Sequence, residues 1–209
     1  MKTKPKSKTA PDVTAALEAD LLSGVYRPGE WLKQADIENT YQAHRFDVRM
    51  ALLDLKTRHL IEHVRNRGYR VANPTERERE DLTQTRVILE KAAAGLVLQN
   101  ITRNDIDDLK QIIAEFDQSM LDGDLNMLRA INGRFHDRFY EICRNGILTA
   151  QIKSLRQRGL PGARTWLNLN GIRRSHDDHK QMVKLLAKKD LEGLEELVGQ
   201  HLSHWRTDE

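Results

Sequence analysis

Apolar residues recur at helical spacing through most of the chain. Between Asp12 and Ser23 they stand at Val13, Ala16, Leu17, Leu21 and Leu22, and Gly24 ends the run. Tyr26-Arg-Pro-Gly29 reads as a turn. Gln34–Tyr41 predicts a short helix with Ala35, Ile37 and Glu38 in its register. Phe46–Thr57 predicts a second, with Val48, Ala51, Leu52 and Leu55 on one face. The brief turn from Tyr41 to Arg45 makes the pair a helix-turn-helix. The period then changes. Leu60-Ile-Glu-His-Val64 and Tyr69-Arg-Val71 read as strands joined through Arg65-Asn-Arg-Gly68, where Gly68 can take a positive φ at low steric cost. A helix-turn-helix followed by a β-hairpin is a winged helix.

Asn73-Pro74 interrupts this pattern, since the residue before a proline is biased away from helix. Thr75-Glu-Arg-Glu78 has the form of a capping box. A long helix is predicted from there to about Gln99 through Leu82, Val87, Leu89, Ala93 and Leu96. Thr102 with Asp105 repeats the start signal. After the Asp122-Gly-Asp124 turn a third helix, Leu125–Arg144, is expected to bury Leu128, Ile131, Phe135 and Phe139. Ile147–Arg158 predicts a fourth, which Leu160-Pro-Gly162 must kink or break. Ser175–Lys188 and Leu191–Trp205 complete the set, Asp190 capping the last. Strand periodicity is absent after residue 73. The expected fold is mainly α: a flexible basic tail over 1–10, a winged helix-turn-helix over 11–73 and an all-α bundle of about six helices over 74–209.

Charge sharpens this division. The formal charge is only +3, from 34 basic and 31 acidic side chains. However, Met1–Asn73 holds 13 basic and 9 acidic residues, net +4, and the remainder 21 and 22, net −1. A basic amino-terminal module that meets an anion, beside a nearly neutral one with another task, fits this imbalance. Charged residues make up 31% and the mean hydropathy is −0.65, so no apolar run long enough to cross a membrane is present. Lys2, Lys4, Lys6 and Lys8 are followed by no apolar segment of the secretory type, and a cytoplasmic protein is expected. Cys143 is the only cysteine, which excludes an intrachain disulfide and a cysteine-based zinc finger; it reads as a small buried hydrophobe.

Three groups of residues carry candidate chemistry. The first turn of the second short helix and the loop before it offer His44, Arg45, Phe46 and Arg49 to a major groove, with Arg45 and Arg49 on one face. One arginine can read a guanine edge while the other grips phosphate, and the spacing does not assign which. Arg65 and Arg67, with Gly68 in the same turn, extend this set to an adjacent groove. Any one of these arginines alone would read as a solvated surface charge; their placement on both contact elements of a winged helix points to DNA.

In the bundle, Asn132 and His136 stand one turn apart on the third helix, with His179 on the next-to-last helix and His201 on the last. Three imidazoles and an amide oxygen from three helices suit a divalent transition metal (zinc, nickel or manganese). Eight histidines make such a coincidence cheap, so hydrogen-bonded or solvated imidazoles remain open, with His176 and His204 as the nearby decoys. Arg86 and Glu90 form an i, i+4 pair, an ordinary surface ion pair unless it faces inward, where Arg86 would clamp a ligand carboxylate. No phosphate-binding glycine loop, nucleophile elbow or HExxH occurs, and no enzyme is expected.

With these residues in place, the chain beyond its first ten residues resembles the GntR family of bacterial transcription regulators. The likeness is to the FadR subfamily with its FCD-type effector domain, and to the VanR-like branch by the short bundle. Leu21-Leu-Ser-Gly-Val-Tyr-Arg-Pro-Gly-Glu-Trp-Leu32 is similar to the family's first helix, turn and strand. Val48-Arg-Met-Ala-Leu-Leu-Asp-Leu55 is similar to its recognition helix and Asn66-Arg-Gly-Tyr-Arg-Val71 to its wing. Arg86-Val-Ile-Leu-Glu90, Asn132-Gly-Arg-Phe-His136, Asp178-His179 and Gln200-His-Leu202 follow the order of its effector and metal motifs.

The resemblance implies a homodimer that reads a palindromic operator in double-stranded DNA and senses a small organic acid. It implies a metal held by Asn132, His136, His179 and His201, with Arg86 and Glu90 in the effector pocket. It further implies a repressor of a catabolic operon; a metal-free sensor or a metalloenzyme with an accessory winged helix are the rivals. Two departures stand out. Asn132 occupies a position where many members carry Asp, which removes a negative ligand. Gln42-Ala-His-Arg-Phe-Asp-Val48 replaces the family's usual glycine, hydroxyl and proline, and Ala35 replaces a frequent arginine, so the DNA sequence read is expected to differ from that of relatives.

Overall fold

The computed structural model describes residues 12–159 and 169–204, which fall into two units, the first ending at Asn73 and the second beginning at Pro74. The basic tail, Leu160-Pro-Gly162 and the Trp205 end of the last predicted helix lie outside the described residues.

The first unit is a winged helix. Helix α1 (Val13–Ser23) is capped by the Asp12 carboxylate, which accepts from the Thr14 and Ala15 amides, and it ends at Gly24 with φ 83°. Helices α2 (Gln34–Tyr41) and α3 (Arg45–Thr57) follow, α3 one residue earlier than the periodicity alone suggests. Val13, Leu17 and Leu21 of α1 meet Ile37 of α2 and Val48, Ala51, Leu52 and Leu55 of α3 in one apolar cluster. The hairpin runs β2 (Ile61–Val64) to β3 (Gly68–Val71) with Val64 opposite Gly68. Its turn needs left-handed backbone twice, at Asn66 (φ 62°) and Gly68 (φ 96°). A two-residue strand, β1 (Trp31–Leu32), pairs with the other edge of β3, giving the order β1-β3-β2. Two residues are too short to show an alternation, so periodicity did not reveal β1; the family likeness did. Two ion pairs brace this frame. Arg58 at the end of α3 holds Glu18 of α1 through both guanidinium nitrogens, and Arg70 holds Glu62 across the β2–β3 pair at 2.7 and 2.9 Å.

The second unit is helical throughout its described residues: α4 (Glu76–Asn100), α5 (Arg103–Asp122), α6 (Leu125–Glu141), α7 (Gly146–Gly159), α8 (Leu169–Lys188) and α9 (Leu191–Ser203). Neighbouring helices close a ring in the order α4, α9, α8, α5, α6, α7 and back to α4, with α6 also touching α4. The apolar interior gathers Phe116, Phe135, Phe139, Leu128, Ile152 and Leu186. Thr75 and Thr102 each form a complete capping box, with Glu78 and Asp105 respectively. Two boundaries differ from the sequence reading. Helix α6 stops at Glu141 rather than Arg144, because the Cys143 amide tightens onto the Tyr140 carbonyl and Arg144 turns to φ 55°. Helix α8 starts six residues before Ser175, since buried Ile172 already belongs to the inward face that continues through Ser175, His176 and His179.

Both capping boxes satisfy helix-start amides that have no partner within the helix. Thr102→Ala removes one acceptor and is expected to lower unfolding stability by about 1 kcal/mol, with Thr102→Ser close to neutral, as read by the denaturation midpoint of the two variants.

Candidate functional site

The outward elements of the winged helix carry the predicted DNA-contacting residues. His44 is the N-cap of α3 and makes no side-chain capping bond, Arg45 begins the helix, and Arg49 lies one turn on; all three are exposed. Phe46 is 72% exposed. Arg65 and Arg67 are exposed in the hairpin turn, and Gly68 opens β3. Arg67 is not a loose charge: its guanidinium lies 4.4 Å from the centre of the Trp31 ring, a cation–π contact that ties the wing to β1. Trp31, Lys33, His63, Arg67 and Tyr69 line an open groove of about 530 Å³ beside this contact. Trp31 was not singled out by sequence, because only the β1–β3 pairing brings it under the wing.

Inside the bundle the structure brings together His136 from α6, His179 from α8 and His201 from α9. One potential ligand atom from each lies within 4.8 Å of the others. His136 Nε2 and His179 Nε2 are 3.2 Å apart, and both rings are almost wholly buried. His201 Nδ1 stands 2.9 Å from Asp178 Oδ2. With Nδ1 facing the carboxylate, Nε2 is the His201 nitrogen left to face a ligand, the arrangement that orients metal-ligating imidazoles. Phe135 stacks on His179 with ring centroids 4.1 Å apart and fixes its plane.

Burial is the main reason that His136 is held well below the usual imidazole range, with the positive charge of Arg156 and the neighbouring His179 adding to it. His179 is depressed in the same way, by burial first and then by His201. Both imidazoles are therefore neutral, which is the ligating form.

Asn132, one turn before His136 on α6, is in an unusual state. Its side chain is buried, and its Oδ1 has no hydrogen-bond partner among the described residues. A buried acceptor left unmet costs roughly 1–3 kcal/mol. A cation beside the imidazoles one turn away would meet it. The residues present thus fit a divalent transition metal: three imidazoles, those of His136 and His179 neutral, one amide oxygen without a partner among the described residues, and a carboxylate behind the third imidazole.

Next to this group, Arg86 and Glu90 do face inward. Glu90 is fully buried, Arg86 Nε donates to its Oε1 at 2.7 Å, and the Tyr140 hydroxyl donates to its Oε2. Burial, reinforced by the Glu90 carboxylate, keeps the Tyr140 phenol far above its ordinary range and so protonated. Arg156 of α7 reaches the same region, and its charge acts on His136, His179, Tyr140 and Glu90. Sequence reading missed Tyr140, Arg156 and the partner role of Asp178. Tyr140 was open to inference, standing one turn beyond His136 on the same face; Arg156 and Asp178 depend on helix packing.

Of the two decoy histidines only His176 is engaged elsewhere, stacking on Phe116 at 4.2 Å and contacting Asp117 Oδ1 through Nε2 at 2.8 Å. His204 lies beside the group, 3.5 Å from the Asp178 that also meets His201, and the three form a second set able to hold a metal. Cys143 is buried, with its thiol 3.3 Å from the Thr149 hydroxyl.

Two family models match the chain. Residues 9–71 match the family model described as bacterial regulatory proteins, gntR family, and residues 81–204 match the FCD domain. The Nta operon transcriptional regulator of Aminobacter aminovorans is 27% identical over 164 residues, which cover 78% of this chain and 77% of that protein. The transcriptional regulator McbR of Escherichia coli is 24% identical, covering 90% and 88%, and the transcriptional repressor GlaR of the same organism is 26% identical, covering 89% of each. The solved structure of Escherichia coli McbR superposes with a TM-score of 0.80 over 92% of both chains at 22% identity. A GntR regulator from Rhodococcus sp. RHA1 follows at 0.71, covering 94% and 92% at 20% identity.

Glu90 is the acceptor on which Arg86 and Tyr140 both depend. Glu90→Ala is expected to destabilise the bundle by about 2 kcal/mol, because it leaves a partly buried cation and a buried hydroxyl without this acceptor; Glu90→Gln, which keeps an acceptor oxygen, should cost clearly less in the same thermal unfolding measurement.

Proposed function

Since the chain belongs to the GntR family of bacterial regulatory proteins, of the FadR type with an FCD domain, it is a DNA-binding transcription regulator, and we propose that its bundle senses a small organic acid at a metal held by Asn132, His136, His179 and His201. The observation that carries this reading is the convergence of His136, His179 and His201, the first two neutral, with Asn132 one turn before His136 offering a buried amide oxygen without a partner among the described residues, and with the charges of Arg86 and Arg156 acting on His136. When bound, a divalent metal supplies a Lewis-acidic centre with positions left over for carboxylate oxygens.

The chain's own groups do the rest. Arg86 and Arg156 give the pocket a positive field that favours an anion over a neutral ligand. Glu90 anchors Arg86, and Tyr140 is held by Glu90 with its proton in place. Asp178 fixes the His201 ring. Zinc, nickel and manganese all suit nitrogen and oxygen donors of this kind, and zinc and nickel suit an imidazole-rich set best.

On this reading the protein acts as a homodimer, in the compartment that holds the chromosome, on a palindrome whose half-sites lie about one helical turn, ~34–36 Å, apart. His44, Arg45, Phe46, Arg49, Arg65, Arg67 and Gly68 form the reading surface. The effector alters DNA affinity only if it binds one dimer arrangement better than the other. Relatives described as a repressor and as an operon regulator support a repressor that governs an operon. No described helix is long and apolar enough to cross a membrane.

Elemental analysis of untagged protein is expected to give close to one transition-metal equivalent per chain, and His179→Ala should lose it while retaining operator binding. Less than about 0.2 equivalents would favour a metal-free sensor in which the same side chains hydrogen-bond the acid; turnover that disappears with His179→Ala would favour an enzyme. For the reader, Arg49→Ala should weaken specific binding by about 1–3 kcal/mol, and the affinity of the unaltered protein should fall steeply with salt in a fluorescence-anisotropy titration.

A further inference from the structure

Helix α3 exposes an apolar stripe where a DNA-reading helix ordinarily presents polar side chains. Val48, Ala51, Leu52 and Leu55 bury one face of α3 in the core. Phe46, Met50 and Leu53, spaced i, i+4 and i+7, occupy the opposite face and are 72%, 50% and 48% exposed. Single exposed hydrophobics are ordinary and call for no account. Three aligned on the side directly away from the core form a continuous patch.

The surroundings of the stripe identify its occupant. Arg49 and Arg45 run along one flank, both exposed, as cations that grip a phosphate backbone would be. On the other flank Asp54 is 3.4 Å from Arg58, and Asp47 sits in the first turn of α3, where the helix dipole favours an acid. An apolar ridge with a cationic margin, on the second helix of a helix-turn-helix, is complementary to a major groove that offers apolar groups on its floor and phosphate along its walls. In B-DNA one base supplies an apolar group to that groove, the C5-methyl of thymine.

We propose that Phe46, with Met50 behind it, is a specificity-determining residue that reads thymine C5-methyl groups, so that each half-site carries thymine next to the base contacted by Arg49 or Arg45. This inference rests on α3 entering the major groove. It accounts for the unusual Arg45-Phe-Asp-Val-Arg-Met50 stretch: one arginine grips phosphate, the other contacts its own base, and apolar contact selects the thymine beside it. Specificity at those positions follows from displacing water from the methyl and the phenyl ring rather than from a hydrogen-bond pair.

The operator itself can be selected by the protein. Full-length protein is used to enrich a random duplex library, and the preferred duplex is then synthesised with deoxyuridine in place of each half-site thymine in turn. Deoxyuridine keeps every hydrogen-bonding group and lacks only the methyl. At one or two positions the affinity is expected to fall about three- to tenfold. Phe46→Ala, whose ring supports no core, should bind thymine and deoxyuridine duplexes equally and retain residual affinity for both.

Equal affinity of the unaltered protein for the two duplexes would overturn the proposal. So would a difference that persists in Phe46→Ala, which would assign it to DNA shape, or a change of oligomeric state in Phe46→Ala, which would assign the stripe to a protein partner. Failure to enrich any duplex would instead overturn the placement of α3 in the groove, and this inference with it.

Discussion

The interior of the six-helix ring contains groups that water would normally hold, and their desolvation governs how the second unit is built. Glu90 is wholly inaccessible and would be untenable as an isolated charge. It persists because Arg86, one turn before it, and Tyr140, from another helix, both donate to it. The imidazoles of His136 and His179 respond to the same condition differently, by giving up the charged form. Burial, reinforced at the imidazoles by neighbouring positive charge, thus goes with an ion pair at Arg86 and Glu90 and with neutral nitrogen donors at His136 and His179. Around them Phe135, Phe139 and Leu128 exclude water and so keep both outcomes in force.

The arginines show how function is separated from framework. Arg58, Arg70 and Arg138 are engaged by carboxylates that tie elements together: Glu18, Glu62, and the pair Asp105 and Asp108. Arg67 is held by an aromatic face, which fixes its position without neutralising its charge. Arg45 and Arg49 are exposed on α3. Positive charge needed only for structure is therefore cancelled locally, whereas positive charge available to a polyanion is left in place. This explains how a chain with a net charge of +3 can be a DNA-binding regulator.

The candidate metal set also has a charge balance of its own. Three imidazoles and an amide contribute no negative charge, and the charges of two guanidinium groups act on His136. Asp178 meets the His201 ring, and Glu90 is taken up by Arg86 and Tyr140. A pocket so arranged holds a cation less firmly than one with an aspartate at position 132, and gains correspondingly more from an anionic ligand. On the proposed reading, the departure at Asn132 couples metal and acid binding more closely than an acidic ligand would.

Local periodicity determined most of the secondary structure, because an amphipathic helix announces its buried face every three or four residues. The helices from Gln34 to Tyr41 and from Leu125 onward, the capping boxes at Thr75 and Thr102, and the turn at Gly68 all followed from neighbours close in sequence. The i, i+4 relations of Asn132 with His136 and of Arg86 with Glu90 were equally local. Which way those pairs face was not, since an i, i+4 pair looks the same on a solvated or a buried side. Tertiary structure decided that Arg86 and Glu90 turn inward, that Asp178 serves His201 across two helices, that Arg156 joins the pocket, and that Trp31 lies beneath Arg67. These contacts link residues 16 to 66 positions apart, where the partner is chosen by helix and strand packing and leaves no periodic trace along the chain.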